Sequence, residues 1–203
     1  MRNVPNILSG IRLIATVVVF ILVLFNQPWA FLTATIIFVL ASITDFFDGY
    51  LARRYKVVSS LGVFLDLTAD KVLVCCILIG FVQVGIVPAW VVFIIVTREF
   101  LVTSLRSVAA SKGRVIPAGM WGKQKTFITL IAMSLLLLAK GLGAHLLSLF
   151  PLMLHFNNQT LVPAELLLLL ADILIILAVI WTAFSGIEYL IGALPIFRNE
   201  AGV

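Results

Sequence analysis

Four aspartates carry the strongest chemical signal in this 203-residue sequence: Asp45, Asp48, Asp66 and Asp70. They are four of only nine acidic residues. Asp45 and Asp48 stand at i, i+3, and Asp66 and Asp70 at i, i+4. If both stretches are helical, each pair occupies one helix face. The short basic segment around Arg53, Arg54 and Lys56 predicts a hairpin. The two helices are then expected to be antiparallel neighbours with converging acidic faces. Asp45 would lie ~12 Å along its helix from Arg53, and Asp70 ~15 Å from Ser60. Carboxylates in an apolar setting are costly, ~2.5–3.5 kcal/mol each at a membrane helix centre, and neighbouring ones repel. The cations nearest in sequence are Arg53 and Lys71. Lys71 is adjacent to Asp70 and is expected to point to another face. Hard divalent ions on carboxylate oxygens fit better, which points to Mg²⁺. Four carboxylates suit two such ions flanking a phosphoryl group. A solvated hairpin tip with helix-capping acids would account for Asp45 or Asp48 singly. It does not account for Asp66 and Asp70 inside an apolar run.

Further residues extend this reading. Gly62, Asp66 and Asp70 recur every four residues, and Gly49 follows Asp48. A position without a side chain beside a charged cluster admits a ligand or a second backbone. Gly62 and Ala52 serve equally well as small helix-packing residues. Arg98, Arg106, Lys123 and Lys125 form a second, cationic group suited to a phosphate. Arg98 and Arg106 are expected roughly on one helix face, with Glu99 a partner for one of these arginines. The competing account is that these cations set membrane topology, and it weighs most for Lys112 and Arg114. No Cys, His or Ser on the acidic faces resembles an activated nucleophile, so direct displacement is expected. Cys75 and Cys76 are expected to be small core residues. His145 and His155 are expected on the outer side. Asp172 is expected to make a polar helix–helix contact, and Glu188 to sit at an interface.

The elements that hold these residues follow from composition. The chain is 63% hydrophobic and 11% charged, with a formal net charge of +5. Soluble domains average ~25% charged residues, so lipid is the expected solvent and nucleic acid is not an expected partner. Six apolar runs approach the ~20 residues that cross a bilayer: Ile7–Phe25, Trp29–Thr44, Leu61–Val84, Trp90–Leu105, Phe127–Phe150 and Ala164–Gly192. The expected fold class is all-α, a polytopic membrane protein with six transmembrane helices in one bundle and a single domain over residues 1–203. The first run lacks an obvious cleavage site and is expected to remain as a helix. Arg2, Arg12, Arg53, Arg54, Lys56, Arg98, Arg106, Lys112, Arg114, Lys123, Lys125 and Arg198 map to one side of that topology. The opposite side holds Lys140 and the two histidines. The positive-inside rule makes the basic side, both termini and the aspartates cytoplasmic.

At its aspartates the chain resembles the CDP-alcohol phosphotransferases. Their signature, Asp-x2-Asp-Gly-x2-Ala-Arg-x8-Gly-x3-Asp-x3-Asp, is met without departure by Asp45, Asp48, Gly49, Ala52, Arg53, Gly62, Asp66 and Asp70. The resemblance implies a multi-pass protein of a bacterial-type inner membrane. It implies that the four aspartates hold two ions, Mg²⁺ or Mn²⁺, and that Asp70 also deprotonates the acceptor hydroxyl. Gly49, Ala52, Arg53 and Gly62 would belong to the site for the CDP-lipid, and the protein would be a homodimer among membrane lipids. A narrower likeness is to members that join CDP-diacylglycerol to glycerol 3-phosphate. It is carried by residues 6–12 (NILSGIR), 69–74 (ADKVLV), 97–106 (TREFLVTSLR) and 122–126 (GKQKT). Leu67-Thr68 departs from the Pro-Val more usual there and lies between ligand positions. A phosphorylated acceptor needs its own cationic site, for which Arg98, Arg106, Lys123 and Lys125 are the candidates. Other acceptors of the family (inositol phosphate, serine, phosphatidylglycerol) remain open at this point. So does a cation transporter with carboxylates at midplane, against which the interfacial depth and absent inverted repeats count.

Overall fold

The computed structural model describes the backbone of residues 4–55, 60–111, 120–144 and 163–198, and the side chains of residues 9–44, 68–111, 124–144 and 163–192. These residues form six α-helices and no strand: α1 (Val4–Leu24), α2 (Pro28–Tyr55), α3 (Ser60–Gln83), α4 (Ala89–Ser111), α5 (Met120–Gly141) and α6 (Pro163–Arg198). Each expected apolar run overlies one helix. The second helix continues from the apolar run through the basic segment to Tyr55, so Asp45 and Asp48 are both on helical backbone. Asp66 and Asp70 are on the helical backbone of α3.

Helix ends follow local chain chemistry. Gly85 and Gly143 adopt positive φ, 72° and 86°, which costs glycine little because it has no Cβ. After each, the next amide reaches back five residues: Ile86 N to Phe81 O at 2.8 Å, and Ala144 N to Ala139 O at 3.0 Å. Both are glycine C-caps that satisfy the last carbonyls of a helix. This explains one difference from expectation. The fifth run extends to Phe150, whereas α5 stops at Gly141 because Gly143 turns the chain. Residues 145–150 lie outside the described residues, as do His145 and His155. Between α1 and α2, Asn26 takes φ 49° and Pro28 opens α2 at a position that needs no amide donor.

The helices close into a ring. α1 packs on α2 and α3, α2 also on α5, α5 on α6, α6 on α4, and α4 on α3. The expectation that α2 and α3 are direct neighbours is therefore modified over the described residues, where α1 packs on both of them. Small residues permit it: a Cβ on Gly80 would stand 3.1 Å from Val23 Cγ1, so α1 seats against α3 at that glycine. The core draws on every helix, including Val19, Phe38, Ile77, Ile95, Leu136 and Ile175.

Among the described residues, every helix also exposes large apolar side chains. Ile14, Ile36, Ile79, Phe93, Phe127 and Phe184, one from each helix, are each more than half exposed. Gln124–Gly141 and Pro163–Gly192 are long and apolar enough to cross a membrane by length and composition, and Ser9–Leu24 and Pro28–Thr44 are shorter apolar helices. Several hydroxyls are satisfied within their own helices: Thr16 donates to Arg12 O at 2.8 Å, Thr35 to Phe31 O at 2.7 Å and Ser134 to Leu130 O at 2.8 Å. This pattern removes polar groups from apolar surroundings without a partner from another helix.

Gly141 supplies a test of the packing. A Cβ there would lie 2.9 Å from the Leu32 backbone nitrogen and 2.8 Å from its Cγ. The nitrogen cannot rotate away, so Gly141→Ala must push α5 off α2, and overpacking of this kind costs ~1–3 kcal/mol. Gly10 has nothing within 4 Å of such an atom. Thermal unfolding in detergent is expected to show a lowered midpoint for Gly141→Ala and an unchanged or raised one for Gly10→Ala.

Candidate active site

One level of the bundle collects its charge. Lys125 of α5 is 3% exposed, Arg12 of α1 is 2% exposed and Arg98 of α4 is 9% exposed. Buried cations of this kind are rare unless paired, and the pairing at Lys125 is explicit. Its Nζ forms an ion pair with Glu99 Oε1. Arg98 Nη1 lies 3.4 Å from the same oxygen. Arg98 Nη2 donates to Ser185 Oγ on α6, and the guanidinium carbon stands 5.6 Å from the Tyr189 ring centroid. Three groups, Lys125 from α5 and Ser185 and Tyr189 from α6, thus surround Arg98 and the carboxylate beside it.

Asp70 joins this layer from α3. Together with Lys71, Glu99, Lys125, Thr126 and Thr129 it borders a small cavity of about 40 Å³ between α3, α4 and α5. Lys71, expected on another face than Asp70, nevertheless borders the same cavity. Adjacent helix positions are ~100° apart, and this cavity is wide enough to be bordered by both. The expectation that Arg98 and Arg106 share a face is corrected: Arg98 is buried and Arg106 exposed. Eight residues at ~100° each leave an offset of ~80°, which suffices to carry Arg106 out of the interior.

The remaining expected site residues are placed by backbone alone. Asp45, Asp48, Gly49, Ala52 and Arg53 lie on α2, Gly62 and Asp66 on α3, and Lys123 on α5. Their side chains lie outside the described residues, as do Lys112 and Arg114. Helix register still relates one of them, Asp48, to the layer. α5 touches α2 where Gly141 meets Leu32, and short connections along the first five helices make α2 and α5 antiparallel. Asp48 stands as many residues after Leu32 as Lys125 stands before Gly141. At a common rise per residue, Asp48 and Lys125 occupy one level. By the same count from the Gly80–Val23 contact, Arg12 falls near the level of Asp70.

A second, larger cavity runs along α6. Ile180, Trp181, Phe184, Ser185 and Glu188 border about 470 Å³ of almost wholly apolar space. Ser185 belongs to both regions, holding Arg98 in the polar layer and bordering the apolar cavity. Elsewhere, Lys140 of α5 and Asp172 of α6 are close enough to interact electrostatically, in keeping with a polar helix–helix contact. Glu188 is exposed, and Cys75 and Cys76 are free and half-buried, with Cys75 bordering the smaller cavity.

Sequence reasoning missed Ser185, Tyr189 and the burial of Arg12. A serine and a tyrosine in an apolar run carry no signal of their own. Arg12 has the charge and position of a topology residue, and only packing removes it from the surface. Glu99 was expected to pair with an arginine; it pairs with Arg98 and with Lys125.

The ion pair makes a stability prediction. Removing one partner of a buried pair strands the other charge, at a cost of ~3–5 kcal/mol, while replacing both with apolar residues is often neutral. Glu99 is one quarter exposed, which favours the lower end. Glu99→Ala is expected to lower unfolding stability by roughly 3 kcal/mol, and Glu99→Leu with Lys125→Met to recover most of it. The comparison is made by denaturation of the two variants in detergent.

Comparison with known proteins bears on this arrangement. Residues 2–184 match the family model described as CDP-alcohol phosphatidyltransferase. The chain is 40% identical over 202 residues to the CDP-diacylglycerol–glycerol-3-phosphate 3-phosphatidyltransferase of Bacillus subtilis (strain 168), covering 93% of this chain and 94% of that one. It is 42% identical over 141 residues to the protein of the same name from Rickettsia bellii (strain RML369-C), covering 69% of this chain and 78% of that one. The counterpart in Rickettsia typhi (strain ATCC VR-144 / Wilmington) is 41% identical over 144 residues, covering 70% of this chain and 81% of the relative. Signature, helical architecture and near full-length likeness agree, and the chain belongs to the CDP-alcohol phosphatidyltransferase family.

Proposed function

We propose that this protein transfers the phosphatidyl group of CDP-diacylglycerol to sn-glycerol 3-phosphate, giving phosphatidylglycerophosphate and CMP. The observation that carries the acceptor is the buried ammonium of Lys125 bordering one small cavity with Asp70. A dianionic phosphomonoester needs local positive charge, and the hydroxyl to be activated needs a base within reach. The near full-length likeness to the Bacillus subtilis protein supports the same assignment.

The chemistry is an exchange at the lipid-linked phosphorus. The acceptor hydroxyl oxygen bonds to that phosphorus, the phosphoanhydride bond to the cytidylyl phosphate breaks, and CMP leaves with the bridging oxygen. The hydroxyl proton passes to the Asp70 carboxylate. Asp45, Asp48, Asp66 and Asp70 offer hard oxygen donors at helix spacings that suit two Mg²⁺ or Mn²⁺ ions. When bound, such ions supply charge neutralisation of the diphosphate and of the departing CMP. Gly49, Ala52, Arg53 and Gly62 bind the cytidine diphosphate part. The apolar cavity along α6 accommodates an acyl chain of the donor. Lys125, with Arg106 and Lys123 toward the α4–α5 connection, attracts the acceptor phosphate, and Arg98 is the fourth cation of that group.

The same reading makes the six helices six membrane spans. Exposed Ile14, Ile36, Ile79, Phe93, Phe127 and Phe184 would be unfavourable against water at ~25 cal/mol per Å² and are at home against acyl chains. The basic residues then lie on the cytoplasmic side, and the site opens there to soluble glycerol 3-phosphate and to lipid at once. A homodimer, as the family resemblance implies, completes the reading.

Two measurements test it. Release of CMP from CDP-diacylglycerol is expected to cease on chelation, to return with Mg²⁺ or Mn²⁺, and to be crippled by Asp45→Asn, Asp48→Asn or Asp66→Asn. Full turnover in a metal-free preparation would exclude the two-ion site. Lys125→Ala is expected to raise the KM for glycerol 3-phosphate about ten- to a hundredfold, as loss of one charge-assisted contact of ~1.5–3 kcal/mol requires. The KM for CDP-diacylglycerol should change far less. The opposite pattern would assign Lys125 to the donor.

A further inference from the structure

We infer that Ser185, Arg98 and Glu99 form a positioning relay that fixes Lys125 beside Asp70, with Arg98 acting inside the bundle rather than as a direct phosphate ligand. The inference rests on the proposed reading of Lys125 as the acceptor-phosphate cation. It deepens that reading by naming what aims the ammonium.

The contacts run in sequence across three helices. Ser185 Oγ on α6 accepts from Arg98 Nη2 on α4. Arg98 Nη1 reaches Glu99 Oε1, and that oxygen also receives the Lys125 ammonium from α5. Arg98 is held from two further sides. The Arg98 guanidinium lies over the Tyr189 ring. The Arg98 stem passes where α6 has no side chain, since a Cβ on Gly186 would stand 3.1 Å from Arg98 Cγ. Two of the guanidinium nitrogens are thus committed to protein oxygens, the ring covers its face, and the side chain is buried. Arg98 does not border the cavity that Asp70, Glu99 and Lys125 share.

The geometry has a functional consequence. A lysine ammonium is a point charge on a flexible stem, so its direction must be imposed from outside. Glu99 imposes it, and a carboxylate shared with a second cation is itself restrained. Without Ser185 or Arg98, Glu99 can turn and Lys125 follows it. The effect is expected on acceptor affinity, since the proposed reading assigns the donor's nucleotide to Gly49, Ala52, Arg53 and Gly62. Ser185 and Tyr189 also lie beyond the stretch that the family model matches, residues 2–184.

The test combines steady-state kinetics and thermal unfolding of the full-length protein in detergent. Ser185→Ala is expected to raise the KM for glycerol 3-phosphate about three- to tenfold, as loss of one such hydrogen bond implies, with the KM for CDP-diacylglycerol within twofold. Ser185→Thr, which keeps the hydroxyl, should retain the KM of the unmodified protein. Glu99→Gln should raise the acceptor KM further. In a double-mutant cycle, Ser185→Ala and Arg98→Ala should be less than additive both in melting temperature and in acceptor KM. Additive effects on melting would overturn the relay. An unchanged acceptor KM in Ser185→Ala, with Lys125→Ala raising it, would overturn the positioning role while leaving the acceptor reading intact. Non-additive melting with no effect of Lys125→Ala on the acceptor would instead remove the acceptor reading and the relay's part in it.

Discussion

A carboxylate shared by an ammonium and a guanidinium inside an apolar bundle is the constraint on which the rest of this structure depends. Glu99 meets Lys125 and Arg98 in surroundings where either cation alone would be strongly disfavoured. The requirement that these charges find one another ties α4 to α5, the two helices that flank α6, and brings α6 in through Ser185. The arrangement also explains why polar residues gather at one level. Concentrating charge lets each group serve two partners, and the remaining length of every helix stays available for apolar contact.

That division of labour gives the bundle two surfaces of similar chemistry, one inside and one outside. Core packing through Phe38, Ile77, Leu136 and Ile175 sets helix positions by shape, with glycines where backbones approach. The outer residues, including Phe93 and Phe184, make no such demand and match an apolar solvent. Between them the polar layer is a local exception, bordered by an apolar cavity along α6. Under the proposed function, a substrate with acyl chains and a charged head would meet both environments across Ser185. Catalysis of phosphoryl exchange needs little covalent participation by protein and much fixed charge, which a layer of this kind supplies.

Much of this was legible in the chain itself. Six apolar runs interrupted by turn residues became six helices, because a long apolar run has few other ways to satisfy its backbone away from water. Gly143 was the signal that α5 ends before Phe150, and it lay in plain view as a cap residue. The aspartate signature identified the family at spacings that helical periodicity makes meaningful. The pairing of Glu99 was foreseen in kind, since an acid beside an arginine within an apolar run requires a partner.

What the sequence by itself determined was the inventory: which residues carry charge, how they are spaced along helices, and how little water the chain can face. Periodicity is a local property, so it assigns residues to faces of their own helix. It does not say which other helix that face meets. Only the tertiary structure decided that α1 packs on both α2 and α3, that Arg12 is interior, and that Arg98 is turned into the bundle toward Ser185 and Tyr189 while Arg106 is not. Those outcomes depend on contacts between residues far apart in the chain, Arg98 and Ser185 above all. There the energy of pairing and burial is shared between helices and belongs to no single segment.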